Sequence, residues 1–372
     1  MSLLVLTRED VIQITAKFTP QALQALMEDV FALISSDSSE DHPKSYSPHR
    51  ISIPAENHKV LFMPARISSV GTTVKVVSTP SNAEDARGIP GSTLMMDKNT
   101  GAVKAIVNAR SLTALRNAAG SLLSTTLVGP KLPTHVVAFG AGQQILAHLD
   151  LHFRAFGSVR SCTIVNRTLN DRVSTIVSEL QTKHPTVQLE ILVSTEKEAL
   201  RDTLSKASIV ICATPSRVPL FPSSWVANWT HVILIGSYTP EMKEVDTDLV
   251  MRAVSISNQT HGRSSPILLV DSVSACFTEA GELLEAKLRA DQVVEIGKLV
   301  LERQGDTTWD YPRWETSIRS DALDFQGPIT MFKSVGVGLQ DVAIACAVIE
   351  KAEEMERQMT EGSIGVVVPN FD

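Results

Sequence analysis

Between residues 135 and 272 the sequence repeats one pattern six times. A short, almost unbroken apolar run appears and then closes: HVVAFG, SCTIVNR, VQLEILV, SIVICAT, HVILIGS and PILLVDS, with helix-spaced sequence between several of them. A strand wetted on one face alternates apolar with polar residues, whereas a run apolar throughout must be covered on both faces. Helices interleaved with such strands predict a parallel, doubly wound α/β sheet. This unit is expected to span residues 131–327. At 372 residues the chain exceeds the size that one core serves well, so a second domain is expected.

The flanks supply that domain, residues 1–130 and 328–372, as a mixed α+β fold. Thr7, with Asp10 three residues on, caps a short helix, and Thr19 before Pro20 opens a longer one with Leu23, Leu26, Val30 and Ile34 on one face. HRISIP, KVLFMPARI and TTVKVVSTP read as strands, the last alternating Val74, Val76 and Ser78 against Lys75, Val77 and Thr79. GSTLMMDKNTGAVKAIVN reads as a hairpin turning at Asp97–Gly101, and LTALRNAAGSLLSTTL as a helix. ITMFKSVGVGLQDVAIACAVIEKAEEMERQM reads as a glycine-containing loop and a long amphipathic helix that returns the chain to the first domain.

Composition removes several functions. The net charge is −7 and no basic block with interleaved aromatics exists, so no nucleic-acid partner is expected. No segment approaches the ~20 apolar residues of a membrane span, and the apolar run near Met1 is too short for a signal sequence. A cytoplasmic protein with no membrane partner is the expectation. Cys162, Cys212, Cys276 and Cys346 form no CxxC pair, which argues for buried reduced thiols and against a metal site.

The stretch VVAFGAGQQILAHL joins the first apolar run to a helix through Gly140 and Gly142. Two glycines there allow a tight turn and close approach of a pyrophosphate to the helix N-terminus. The third position of the usual fingerprint holds Ile145. The amides of Gln143 and Gln144 stand where they can assist. About twenty residues on, a NAD site carries an acid for the ribose hydroxyls. Here Asn166, Arg167 and Thr168 occupy that place, and a guanidinium with a hydroxyl suits a 2′-phosphate, so NADP(H) is expected. Arg167 as a solvated strand-end charge is the alternative. Thr214 and Gly236 close two later strands at the edge where ligands of such sheets bind, and are expected to touch the cofactor.

FMPA, VKVVSTPSN, DKNTGAVKAIVNARSLTALRNAA, VVAFGAGQQ, IVNRT, CATPS and TMFKSVGVGLQDVA occur in this order, and together they resemble the ornithine cyclodeaminase/mu-crystallin family. The resemblance implies a Rossmann-like dinucleotide domain, a second domain with a mixed sheet for substrate binding, and a homodimer built through that second domain. It implies hydride exchange at a carbon bearing nitrogen and a carboxylate, chemistry of amino-acid metabolism. The family's carboxylate-binding cations fall on Arg50, Lys75 and Arg116. Read alone, Arg50 also fits a surface strand charge, Lys75 an edge-strand gatekeeper and Arg116 a snorkelling cation. Asn117 replaces a threonine that usually follows the helix arginine. Ser334 and Gly336 fall in the family's loop beside the nicotinamide. Asp341 fits either a tie between that helix and the active site or a carboxylate favoured by the helix dipole.

Two departures shape the expected reaction. Cyclodeaminases carry carboxylates where this chain has Leu61 and Tyr238. Without them the proton transfers of cyclisation and ammonia loss have no obvious agent. The expected activity is therefore NADPH-dependent reduction of a 2-imino acid, a small-molecule ligand. Ornithine cyclodeamination and non-catalytic NADPH binding are the alternatives. Lys75, its pKa depressed by burial among like charges, and Tyr238 are the candidate proton donors, with water a third source. The Ser35–Ser47 loop and YTPEMKE are expected to shape the substrate pocket, and Trp309, Tyr311 and Trp314 to serve packing.

Overall fold

The structure is a computed structural model that describes residues 2–36, 44–80, 89–254, 267–305, 313, 324–359 and 362–371. Trp309, Tyr311, Trp314 and residues 37–43 of the expected pocket loop lie outside the described residues. The chain divides into two compact units, Met1–Arg116 with Gly336–Asp372, and Asn117–Val335.

The first unit begins with β1 (Leu3–Leu6), α1 (Arg8–Thr15), α2 (Pro20–Ser36), β2 (Ser45–Tyr46), β3 (Ile51–Pro54), β4 (His58–Ile67), β5 (Gly71–Pro80), β6 (Gly91–Met96) and β7 (Val103–Asn108). Thr7 and Asp10 form a reciprocal capping box on α1, and the Thr19 hydroxyl accepts from Ala22 N–H at 3.1 Å at the start of α2. The β6–β7 turn is fixed by Asp97, whose Oδ1 accepts from the N–H groups of Asn99 and Thr100. The chain then enters α3 (Leu112–Val128) and passes to the second unit.

There it forms β8 (His135–Phe139), α4 (Gln143–Ala155), β9 (Ser161–Asn166), α5 (Asp171–Lys183), β10 (Gln188–Val193), α6 (Lys197–Ser205), β11 (Ile209–Cys212) and β12 (His231–Leu234). It continues as α7 (Thr247–Arg252), β13 (Ile267–Val270), α8 (Val273–Glu279), α9 (Gly281–Glu285), β14 (Val294–Glu295), α10 (Ile296–Gly305) and β15 (Thr330–Lys333). It returns to the first unit as α11 (Gly338–Gln358) and β16 (Val366–Val368).

The sheet of the second unit runs β10-β9-β8-β11-β12-β15-β13-β14, with every pairing parallel. The chain moves outward from β8 and then reverses to β11 on its other side, a Rossmann-type doubly wound order with its switch point between those strands. All six apolar runs are strands of this sheet. A further strand was hidden: Thr330–Lys333, expected as part of a loop, is β15, inserted between β12 and β13. It is four residues long and fully buried, and its last residue is a lysine, so neither length nor polarity marks it as a core strand.

The divide falls inside α3, earlier than the expected border at 130/131. The later half of α3 carries hydroxyls that reach histidines of the second unit: Ser121 to His148 at 2.9 Å, Thr125 to His152 at 3.0 Å and Ser124 to His231 at 3.1 Å. The return at Val335/Gly336 follows from the inclusion of β15 in the sheet of the second unit.

The sheet of the first unit runs β16-β1-β7-β6-β5-β4-β2, with β3 also paired to β4. Its two faces differ. Ala65, Thr73, Met95 and Ala105 stand directly across from one another and are buried beneath α11. Lys75 and Thr93 continue this face one step along, both 2 % exposed. The opposite face carries Pro64, Val74, Leu94 and Ile106 in one row, all half-buried. The alternation in TTVKVVSTP is thus real, but the more deeply buried side is the one with Thr73 and Lys75.

Candidate active site

Lys75 lies on β5, a central strand, which removes the edge-gatekeeper reading. Its ammonium donates to both oxygens of Asp341, at 3.0 and 3.1 Å. Arg116, on the last turn of α3 that belongs to the first unit, donates from Nε to Asp341 Oδ1 at 3.2 Å and from Nη1 to Gln340 Oε1 at 2.7 Å. Lys75, Arg116 and Asp341 are each no more than 3 % exposed, so Arg116 does not snorkel to water. Burial pushes the Lys75 pKa down to about 8; Asp341 opposes that shift, while Arg116 and Arg50 add to it. Arg50, just ahead of β3, is half-buried, and its field reaches Lys75. The structure therefore brings Lys75 and Arg116 together on Asp341, with Arg50 close enough for its charge to be felt at Lys75.

Gly336 has a role the sequence hid. Its φ is +82°, and a Cβ built there would lie 2.6 Å from Arg116 Nη1 and 2.8 Å from Nη2. Only glycine permits both that backbone and the guanidinium stacked against it. Gly336, expected beside the nicotinamide, leaves room for the Arg116 guanidinium. Leu61 is buried on β4 opposite Val77. Asn117 follows Arg116 on α3 and is 8 % exposed.

In the second unit, the carboxyl edge at the switch point suits a dinucleotide. Gly140 closes β8 at φ +114°, and a Cβ there would stand 3.0 Å from the Ala213 carbonyl beyond β11. Gly142 is the N-cap of α4; no side chain caps this helix, and a Cβ at Gly142 would meet nothing within 4 Å. A helix start with no side-chain cap and a glycine before it is the arrangement that receives phosphate. Gln143 is exposed, and the buried Oε1 of Gln144 has no hydrogen-bond partner. Ile145, the irregular third position, is fully buried and packs as a core residue. At the end of β9, Asn166 donates to the Thr168 carbonyl at 2.8 Å. Arg167 and Thr168 are exposed, and Arg167 makes no ion pair among the described residues. These residues fit a dinucleotide phosphate.

Three expected cofactor residues have other partners. The Thr214 N–H and hydroxyl both donate to Glu244 Oε1, at 2.6 and 3.0 Å, and Gly236 N–H donates to Oε2 at 2.7 Å. Glu244 thus ties the ends of β11 and β12 together. A Cβ at Gly236 would fall 2.1 Å from the Thr214 carbonyl, so that glycine is required by strand-end packing. The Ser334 hydroxyl donates to Asp271 Oδ2 at 2.7 Å, and Val335 N–H donates to the same oxygen at 3.0 Å. Tyr238 is half-buried beyond β12.

Beneath this edge lies an ionic cluster that sequence reasoning missed. Lys333 donates to the Ser237 carbonyl and hydroxyl, each at 2.6 Å, and pairs with Glu282 at 3.0 Å; both ions are fully buried. Burial alone would lower the Lys333 pKa, but Glu282 and Glu244 override it and hold it above the usual lysine value. Burial lifts Glu244 to about 7 against the pull of Lys333. A lysine closing an apolar run and an acid soon after a strand-end turn were the available signals.

The family model described as Ornithine cyclodeaminase/mu-crystallin family matches residues 2–300. A Delta(1)-pyrroline-2-carboxylate reductase of Colwellia psychrerythraea is 27 % identical over 308 residues, covering 80 % of this chain and 85 % of that protein. An iminosuccinate reductase of Paracoccus denitrificans is 30 % identical over 265 residues, covering 70 % and 69 %. The structure of Thermococcus litoralis Delta(1)-pyrroline-2-carboxylate reductase in complex with NADH and L-proline superposes with a TM-score of 0.74 at 23 % identity, covering 95 % of this chain and 98 % of that one. Among the described residues no helix is long and apolar enough to cross a membrane.

Proposed function

The chain belongs to the ornithine cyclodeaminase/mu-crystallin family, and from that membership we propose that it is a nicotinamide-dependent oxidoreductase that reduces the C=N bond of a 2-imino acid. The observation that carries this reading is the buried cluster of Lys75, Arg116 and Asp341 with Arg50 beside it. Lys75 and Arg116, two buried cations turned toward one point, suit one small carboxylate. The relatives named as pyrroline-2-carboxylate and iminosuccinate reductases act on ligands of that class.

The planar guanidinium of Arg116 and the ammonium of Lys75 hold the substrate carboxylate, aided by Arg50. In a planar 2-imino acid the imine nitrogen lies beside one carboxylate oxygen, so a donor that reaches the oxygen is next to the nitrogen. Lys75 then gives a proton to that nitrogen as the carbon gains a hydride, and the C=N bond becomes CH–NH. The surrounding cations disfavour an already protonated imine, which makes this donor necessary. Tyr238 is the second candidate for the same proton. Bound at the Gly140–Gly142 turn, the reduced dinucleotide supplies the hydride. Arg167 and Thr168 favour its 2′-phosphorylated form, NADPH. Leu61 leaves no carboxylate at the β4 position used by cyclodeaminases, which ranks deamination of ornithine below reduction.

A homodimer through the first unit accompanies this reading. The row Pro64, Val74, Leu94 and Ile106 is an apolar sheet face left half-buried within one chain, the kind of surface a second copy covers. NADPH oxidation followed with Δ1-pyrroline-2-carboxylate tests the activity. Turnover supports reduction. Ammonia release from ornithine without net cofactor oxidation would replace it with cyclodeamination.

A further inference from the structure

We propose that Asp341 is a positioning residue of the carboxylate site: it turns Lys75 and Arg116 toward a common point and keeps Lys75 an ammonium ion with an N–H to give the substrate. This deepens the reductase reading and rests on Lys75 as its proton donor.

Asp341 sits in the first turns of α11, where a carboxylate complements the helix dipole. That role needs no burial, and its benefit is smaller than the cost of removing a carboxylate from water. Asp341 is 2 % exposed, and its burial makes sense only through its partners on β5 and α3. Lys75 engages both of its oxygens; an ammonium carries three hydrogens, so at least one remains for a ligand.

The same helix turn fixes the guanidinium. Asp341 takes the Nε edge of Arg116, Gln340 takes Nη1, and Gly336 lies against both terminal nitrogens. Gln340 is itself held, accepting from Val337 N–H at 3.2 Å and donating to Met27 Sδ at 3.5 Å. One short segment, Gly336–Asp341, therefore orients both cations.

Among the described residues, Asp341 is the carboxylate paired with Lys75. Met63 on β4 and Thr93 on β6 stand opposite Lys75 and carry no charge. Arg116 from α3 and Arg50 from ahead of β3 repel its proton; Asp341 from α11 retains it. Without Asp341, a buried lysine beside two arginines would become a neutral amine near neutral pH, and proton donation would fail.

Trace acetylation of wild-type protein, Asp341→Asn and Asp341→Glu across pH 6–11, read by mass spectrometry at Lys75, tests this without reference to turnover. In Asp341→Asn the Lys75 titration should move at least one pH unit lower, and Asp341→Glu should restore it. The basic limb of kcat/KM for pyrroline-2-carboxylate reduction should follow by the same amount, with NADPH affinity unchanged. A Lys75 titration unaltered in Asp341→Asn overturns the proposal. Should wild-type protein reduce no imino acid, the reductase reading fails while the labelling still decides Asp341. Should Asp341→Asn not fold, Arg116→Gln removes one cation, and Lys75 must then titrate higher; an unmoved titration again overturns it.

Discussion

Lys75 sets the pH behaviour. Its pKa is depressed to about 8, so the ammonium that grips and protonates substrate is present below that pH and lost above it. The log of kcat/KM for imino-acid reduction should therefore be level near pH 7 and fall as pH rises through about 8. Lys75→Gln should lower kcat/KM by roughly 10- to 150-fold, the equivalent of ~1.5–3 kcal/mol for a hydrogen bond to a charged group, at every pH, and the limb should vanish. At the cofactor end, Arg167→Ala should weaken NADPH binding by a similar factor and leave NADH binding nearly unchanged, as read by nucleotide fluorescence. Equal losses for both nucleotides would remove Arg167 from the 2′-phosphate. At this scale the sequence was legible only through its ordered motifs: the resemblance pointed to Lys75 and Arg116, which meet at Asp341, whereas residue type alone left each an ordinary surface or edge charge as well. It was not legible where a residue's partner lies far along the chain. Glu244 claims Thr214 and Gly236, and Gly336 yields space to an arginine more than 200 residues away, neither of which is written in the local pattern.

Two elements carry internal polar links that stability measurements can read. The hydroxyls of α3 meet His148, His152 and His231 in a buried ladder. Nδ1–H of His148 donates to the Gln144 carbonyl, so its Nε2 accepts from Ser121; Nδ1–H of His152 donates to the His148 carbonyl, and the Thr125 hydroxyl lies between His152 Nε2 and the Ser121 carbonyl, to which it donates. Burial disfavours the charged rings and lowers the three pKa values to about 3, 4 and 3. In the unfolded chain a histidine titrates near 6.5, so below that pH the unfolded state takes up protons that the fold refuses. The stability these groups contribute is complete above pH ~6.5 and is lost as pH falls toward the folded values. Each histidine adds up to about 1.4 kcal/mol per pH unit to the decline. Urea midpoints should drop steeply between pH 6.5 and 4.5, and a flat profile would contradict neutral buried rings. In β15, Lys333→Met should destabilise the second unit by ~3–5 kcal/mol, because Glu282 and Glu244 would lose their buried cation. Denaturant unfolding measures this, and a cost near zero would mean that the carboxylates bind a proton instead. The charge of Lys333 is also why β15 escaped a reading based on apolar runs: the strand's burial depends on acids supplied from elsewhere.

For the whole molecule, the parallel sheet could be read from sequence because strands covered on both faces must be apolar throughout; five of the six runs are mostly buried strands, and the sixth, β10, lies at the sheet edge and is partly exposed. The first unit was harder. Its sheet places Thr73 and Lys75 on the covered side and valines on the half-buried side, an inversion that makes sense if a second copy covers the valines and a ligand uses the lysine. Val74→Glu with Leu94→Glu should then convert a dimer to monomers in sedimentation equilibrium, and an unchanged mass would place any interface elsewhere. The account as a whole depends on a cationic pocket that grips one carboxylate while its C=N bond is reduced. Its most direct test is steady-state NADPH oxidation by Δ1-pyrroline-2-carboxylate at pH 7, with wild-type protein and Arg116→Gln compared at varied substrate. The account predicts saturable turnover in the wild type and a loss of kcat/KM of at least tenfold in Arg116→Gln, with nucleotide affinity retained. Equal turnover in the two proteins, or nucleotide binding with no oxidation in the wild type, would contradict it.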